Sequence, residues 1–255
     1  MLQTRLIPCL QLIDDALVKT VKFGKHGYIG DPINTVRIFN ELEVDELCFL
    51  DIRATLEKRT PNFKILHEIA DECFMPLSYG GGVKDLITAK TILSIGFEKI
   101  VINSAAHDNP TLITEIANHF GSQSVVASID TKKNFWGKQM VYSHDGSKKT
   151  GKDPVIWAKE LESRGAGELL LTSIDQEGTW SGYDLDTIRK VTEAVRIPVI
   201  ANGGAGKIDH IVDAVKVAGA SAVALGSMVV YQQKGLGVLV NFPDRSVLSK
   251  RLLQD

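Results

Sequence analysis

Residues 197–227 read IPVIANGGAGKIDHIVDAVKVAGASAVALGS, and the order of residue types in this stretch decides the fold. A short apolar strand runs from Ile197 to Ala201. Gly203 and Gly204 make a turn at its carboxyl end, and an amphipathic helical segment follows. A second apolar run, Ala222 to Leu225, stops at Gly226 and Ser227. Residues 75–104, MPLSYGGGVKDLITAKTILSIGFEKIVINS, repeat the plan: proline near the strand start, glycines at its end, a lysine just after them, and a small or polar pair closing the next strand. Glycine at a strand end lets backbone N–H groups approach an anion, and a helix starting there adds the positive end of its dipole. One copy would mean only a tight strand-to-helix turn. Two copies in matching context point to two anion cradles, and so to a ligand with two phosphates.

Outward from these units, eight short apolar runs alternate with helical patterns: Leu6 to Leu10, Leu47 to Leu50, Met75 to Ser78, Ile100 to Ile102, Val125 to Ile129, Leu169 to Thr172, Ile197 to Ala201 and Ala222 to Leu225. Continuous apolar strands between amphipathic helices imply a parallel sheet covered on its outer face. Eight of them in 255 residues, with no linker, predict one (β/α)8 TIM barrel domain over residues 1–255. Helix starts are readable at Asp31 before Pro32, Asn109 before Pro110, Asp153 before Pro154, and Asp184 before Leu185.

Charged residues are 24% of the chain and the net charge is −2, so nothing in them suggests nucleic acid as a partner. No apolar run has the length to span a bilayer, and the amino-terminal residues lack a signal-peptide pattern, so the expected location is the cytoplasm. Cys9, Cys48 and Cys73 are odd in number and widely spaced, against a disulfide framework or a zinc site. None of the six histidines ends a strand, so neither histidine catalysis nor a metal site is expected, and no cofactor.

The first and fifth strands are each followed by a long loop, so the barrel reads as two similar halves. Functional groups in such a barrel lie at strand carboxyl ends. These are Gln11, Asp51, Gly80 to Gly82, Asn103, Asp130, Ser173 with Asp175, Asn202 and Gly226. The loop from Leu12 to Gly30 carries three lysines, Lys19 among them, and three glycines, and has the composition to close over an anion. In the loop from Thr131 to Lys152, Asp145-Gly146 is a hairpin-turn candidate. At the opposite end, Arg5, Glu46, Lys99 and Glu168 each precede a strand. Taken alone they read as a rim network that satisfies its own charges.

The segments RLIPCL, VVASID, RGAGELLLTSID, GTWSGYD and PVIANGGAGK, with the Asn103-Ser104 strand end, resemble the cyclase subunit of imidazole glycerol phosphate synthase, HisF, over nearly the whole chain. The resemblance implies a barrel that forms a heterodimer with a HisH-like glutaminase. Ammonia from that partner enters the bottom of the barrel and travels to a bis-phosphorylated formimino-carboxamide ribonucleotide at the top, where two strand-end aspartates carry the proton chemistry. Carried over, the phosphate positions fall on Gly82, Asn103, Ser104, Gly204, Gly226 and Ser227, and the substrate-loop lysine on Lys19. The ammonia gate falls on Arg5, Glu46, Lys99 and Glu168, and partner docking on the bottom face around them and Glu98. One catalytic aspartate falls on Asp130. The other falls on Gln11.

An amide can hydrogen-bond but cannot exchange a proton near neutral pH, and losing one general acid or base typically costs about 10²- to 10⁴-fold in rate. The first loop also has Asp14-Asp15 in place of the family's usual Asp-Gly. YIGDPINTVRIFNELEVDEL (residues 28–47) and YQQKGLGVLVNFP (residues 231–243) are more similar to the HisF-like proteins of the WbuZ/AglZ type. That likeness implies ammonia supply to a separate sugar amidotransferase. The first expectation is therefore a glutaminase-coupled, ammonia-conducting barrel serving acetamidino modification of a surface-polysaccharide sugar. The alternative is a working cyclase of histidine biosynthesis, in which a water held by Gln11 or Asp51 substitutes for the missing carboxylate. A third is a non-catalytic scaffold that activates its glutaminase.

Overall fold

Alternation along each strand builds this architecture, because both faces of a barrel strand are buried, one under helices and one in the barrel's own interior. A computed structural model describes residues 4–253 of the chain. The outermost residues of the single-domain reading, 1–3 and 254–255, lie outside the described residues. The strands are β1 (Arg5–Ile13), β2 (Ala16–Lys19), β3 (Gly27–Gly30), β4 (Leu47–Asp51), β5 (Leu77–Gly80), β6 (Lys99–Ile102), β7 (Val125–Lys133), β8 (Gln139–Ser143), β9 (Lys148–Lys149), β10 (Glu168–Ser173), β11 (Val199–Asn202) and β12 (Ala222–Leu225). β1, β4, β5, β6, β7, β10, β11 and β12 pair in parallel, each with its neighbours, and the ring closes on itself. This is the expected TIM barrel. The seams differ in length: β7 and β10 match from Val126↔Glu168 to Thr131↔Ser173, whereas β11 and β12 match only at Ile200↔Ala222 and Ala201↔Val223.

Helices at Pro32–Glu41, Phe63–Glu72, Leu86–Ile95, Leu112–Phe120, Pro154–Ser163, Leu185–Thr192, Ile208–Lys216 and Arg245–Leu253 follow the barrel strands in turn. They bury residues such as Phe39, Leu66, Ile92, Ile113, Trp157 and Ile188 against the outward side chains of the strands. Asp31, Asp153 and Asp184 cap their helices through the carboxylate, as their positions before each helix imply. Asn109 does not. Its Oδ1 accepts from the N–H and hydroxyl of Thr111 at 3.2 and 2.9 Å, an Asx-type turn that passes Pro110 and starts the helix two residues later, at Leu112.

The half-barrel echo is visible in the arms. β1 runs on into an antiparallel excursion through β2 and β3, and β7, the fifth barrel strand, does the same through β8 and β9. Both arms rise at the carboxyl-terminal end and fold back over the barrel mouth. Among the described residues no helix is long and apolar enough to cross a membrane.

Candidate active site

Period two threads one inward row from floor to mouth along β1: Arg5, Ile7, Cys9 and Gln11. Its lowest member meets the inward residues that begin the other rows. Arg5 donates to Glu46 at 2.8 Å and to Glu168 at 2.7 Å, and Lys99 Nζ donates to the same two carboxylates at 2.9 and 3.2 Å. The four charges form a closed ring across the bottom of the barrel. Glu46 is nearly inaccessible, at 3% exposure, so the ring reaches into the barrel.

Above the ring the interior turns apolar. Ile7, Cys48, Val101, Val126, Leu170 and Ile200, with Glu46 and Ser78 as the polar members, surround a void of about 10 Å³, at most the space of one water-sized molecule. Cys9 and Cys48 are free and buried, facing each other in register on β1 and β4. Val101 borders both this void and the cavity above it.

That upper cavity, about 140 Å³, opens at the mouth and is lined by Gln11, Asp51, Asn103, Asp130, Asp145 and Glu177, with Thr172 and Asn202 in register with Asp130 and with Cys9 and Ser128 one inward step below Gln11 and Asp130. Asn103 Nδ2 donates to Asp130 Oδ2 at 2.6 Å, and Asn103 Oδ1 is a buried acceptor without a partner among the described residues. Burial pushes the Asp130 carboxyl up to about 7, the Asn103 and Thr172 hydrogen bonds oppose it, and the charge of Asp145 adds to the rise. Asp130 thus titrates where a general acid or base is most effective.

Gln11 is fixed. Its Nε2 donates to Thr20 Oγ1 at 3.1 Å and its Oε1 accepts from Thr20 N–H at 3.0 Å. Lys19, placed by sequence in the substrate loop, is buried in an ion pair with Glu177, whose other oxygen accepts from Thr20 Oγ1 and Phe23 N–H. Asp51 is committed as well, accepting from the backbone of Arg53 and Ala54 and from the Arg59 guanidinium. Asp175 points away and accepts from Lys133 N–H at 2.8 Å. Thr20, Glu177 and Asp145 were not singled out as site residues by sequence. Glu177 lies two positions beyond the Asp175 strand end, the one signal that pointed near it.

Two further cavities flank the mouth, one against each cradle. The first, about 460 Å³, is lined by Gly82, Lys84, Lys58, Arg59, Ala105 and His144. The second, about 570 Å³, is lined by Lys19, Gly178, Trp180, Ser227, Tyr231 and Lys234. Of the cradle residues, Gly82 borders the central and first flanking cavities, Asn103, Ser104 and Gly226 the central one, and Ser227 the second flanking one. Gly204 lines none of these. Its carbonyl accepts from Gly182 N–H at 2.8 Å, and a Cβ there would collide with the Gly182 carbonyl, so it packs beneath the loop after β10. Cations line both flanking cavities, so each has the charge to hold a phosphate.

The family described as histidine biosynthesis protein matches residues 5–235. A Pseudomonas aeruginosa protein named "Putative imidazole glycerol phosphate synthase subunit hisF2" is 49% identical over 96% of this chain and 97% of its own length. A Leptospira borgpetersenii protein named "Putative imidazole glycerol phosphate synthase subunit HisF" is 47% identical, over 96% of both chains. A Vibrio vulnificus relative named as subunit hisF3 of the same synthase is 42% identical over 99% of this chain and 97% of its own length. These names carry the activity that the sequence reading placed second, and not the sugar-modification role it placed first. On a match along most of its length and on relatives of this identity, the chain belongs to the histidine biosynthesis protein family.

Proposed function

We propose that this chain, as one cytoplasmic barrel domain, is the cyclase-type synthase subunit of a glutamine amidotransferase complex. A HisH-like glutaminase docks on the bottom face. Ammonia passes the Arg5, Glu46, Lys99 and Glu168 ring, moves along the apolar interior and reacts at the mouth with a bis-phosphorylated formimino-carboxamide ribonucleotide. One phosphate lies near Gly82, Asn103 and Ser104, and the other near Gly226 and Ser227, with Gly204 packed behind that cradle. The observation that carries this reading is the continuity of the barrel interior: inward side chains lead from a charged ring through an apolar zone to a cavity lined by a carboxyl held near neutral pKa, with a cation-lined cavity on either side. The purified chain, given ammonium and the formimino ribonucleotide, should make imidazole glycerol phosphate. No turnover overturns this.

One observation favours a second reading. The Gln11 amide is held at both ends and brings no group that ionises near neutral pH to the mouth, which suits a barrel that passes ammonia to a sugar amidotransferase. Complementation of a histidine auxotroph lacking the cyclase separates the two. Growth supports the cyclase, whereas no growth with glutamine-dependent sugar amidation intact supports the second. A scaffold-only role predicts that Asp130→Asn leaves that amidation unchanged.

A further inference from the structure

Four carboxylates reach the central cavity: Asp51, Asp130, Asp145 and Glu177. A group that moves protons is best left free of fixed donors, and two of the four are not. Asp51 is occupied by two backbone N–H groups and Arg59, and Glu177 by Lys19, Thr20 and Phe23. Asp145 is different. Among the described residues its carboxylate accepts no hydrogen bond and pairs with no cation, yet it lines the cavity.

Its placement is enforced. Asp145 sits at the tip of the β8–β9 hairpin, three positions past Tyr142, the register partner of Asp130. His144, Asp145 and Gly146 are all left-handed, with φ of 52°, 56° and 72°. Contacts on two sides hold this turn: His144 N–H donates to Ser104 Oγ at 2.9 Å, and at Gly146 an added Cβ would lie 3.0 Å from Ile174 Cδ1 and 3.2 Å from Phe23 Cδ2. The hairpin is wedged between the Asn103-Ser104 strand end and the loop over β1, with Asp145 turned into the mouth.

We propose that Asp145 is the second proton-transfer group of this site, working opposite Asp130 in the role that Gln11 cannot fill. The proposal rests on the cyclase reading above. The charged groups acting on Asp145 are Arg53, which favours its ionised form, and Glu177, which disfavours it, while Asp145 in turn disfavours ionisation of Asp130. Burial and Glu177 push Asp145 up to about 6, and burial pushes Asp130 up to about 7, so both carboxyls exchange protons near neutral pH and ionisation of one disfavours ionisation of the other. As the ring closes, the nitrogen from ammonia forms its bond to carbon and loses a proton to one carboxylate. As the carbon–nitrogen bond breaks, the departing nitrogen takes a proton from the other. The two carboxyls have then exchanged states, and water returns the proton.

The test uses the purified full chain, ammonium and the formimino ribonucleotide, with Asp145→Asn as the variant, because asparagine also tolerates left-handed backbone. The expected result is a kcat lower by about 10²-fold or more, a KM changed less than about threefold, and loss of one limb of the pH–rate profile. Asp145→Glu should keep that limb and exceed the Asn variant in kcat, and this comparison decides if the Asn variant melts early. Full kcat and an unaltered profile in Asp145→Asn, or no advantage of Glu over Asn, overturns the proposal and leaves the cyclase reading standing. A wild-type chain without turnover overturns both.

Discussion

Thr20 grips the Gln11 amide at both ends, donating its N–H to Oε1 at 3.0 Å and accepting from Nε2 at 3.1 Å. The same hydroxyl stands 3.1 Å from Glu177 Oε2, so one side chain ties the first strand to the loop after β10. Gln11 is therefore a brace between β1 and its arm. Replacing Thr20 by Val keeps the volume but leaves Gln11 Nε2 and one Glu177 oxygen short of a buried partner. Unfolding free energy should fall by about 1–3 kcal/mol, seen as a lower urea midpoint at unchanged slope. Thr20→Ser, which keeps the hydroxyl, should lose less.

Opening the floor ring should uncouple the partner from the mouth. Lys99→Met leaves Glu46 and Glu168 with Arg5 as their remaining cation in the ring. With the glutaminase bound, the ratio of glutamine-driven to ammonium-driven turnover should change at least severalfold, while inorganic phosphate binding at the top stays within about twofold, the limit set for a site this remote. Lost phosphate affinity would contradict the separation of floor and mouth.

Asp130 imposes a pH dependence on stability whose sign follows from its shift. Its carboxyl titrates near 7 in the fold and near 4 unfolded, so between these values the native state binds more protons and stability falls as pH rises. Asp130→Asn removes the term and can still accept from Asn103. The variant should match wild type near pH 4 and gain on it up to pH 7, by at most roughly 4 kcal/mol. Urea melts at pH 4.5 and 8 measure the difference. A gap that narrows as pH rises would refute the buried-carboxyl account.

Gly82 resists replacement for two separable reasons. Its φ is +68°, and a Cβ would lie 2.9 Å from the Arg59 carbonyl and 3.1 Å from Ala54 Cβ. Gly82→Ala should cost about 1–3 kcal/mol and weaken phosphate binding, because the loop carrying Arg59 must shift. Gly137→Ala is the control, since its φ of +75° is similar but a Cβ there meets nothing within 4 Å. Its smaller loss of thermal stability gives the backbone part alone.

The barrel was legible because burial on both strand faces leaves long apolar runs, and strand ends carry whatever polar residues remain. Asp130, the floor ring and the glycine pairs all follow from that rule. The rest of the mouth was not legible. Thr20 and Asp145 reach it by fold-back of arms, and the course of the first arm depends on left-handed Lys22 and Phe23, residue types that do not mark such angles beforehand. Asp145-Gly146 was readable as a turn, but not that the turn faces inward. Gly204 shows the converse limit: a cradle glycine by position, it is needed at least as much for the close approach of Gly182.

The unequal seams have a dynamic consequence. β11 and β12 share only two matched pairs, so amide hydrogens at Ala222 and Val223 should trade with deuterium sooner than those along the six-pair seam of β7 and β10. The short seam lies just below Gly226 and Ser227. Occupancy of that cradle should slow the exchange, and the staves of this cask should part there first.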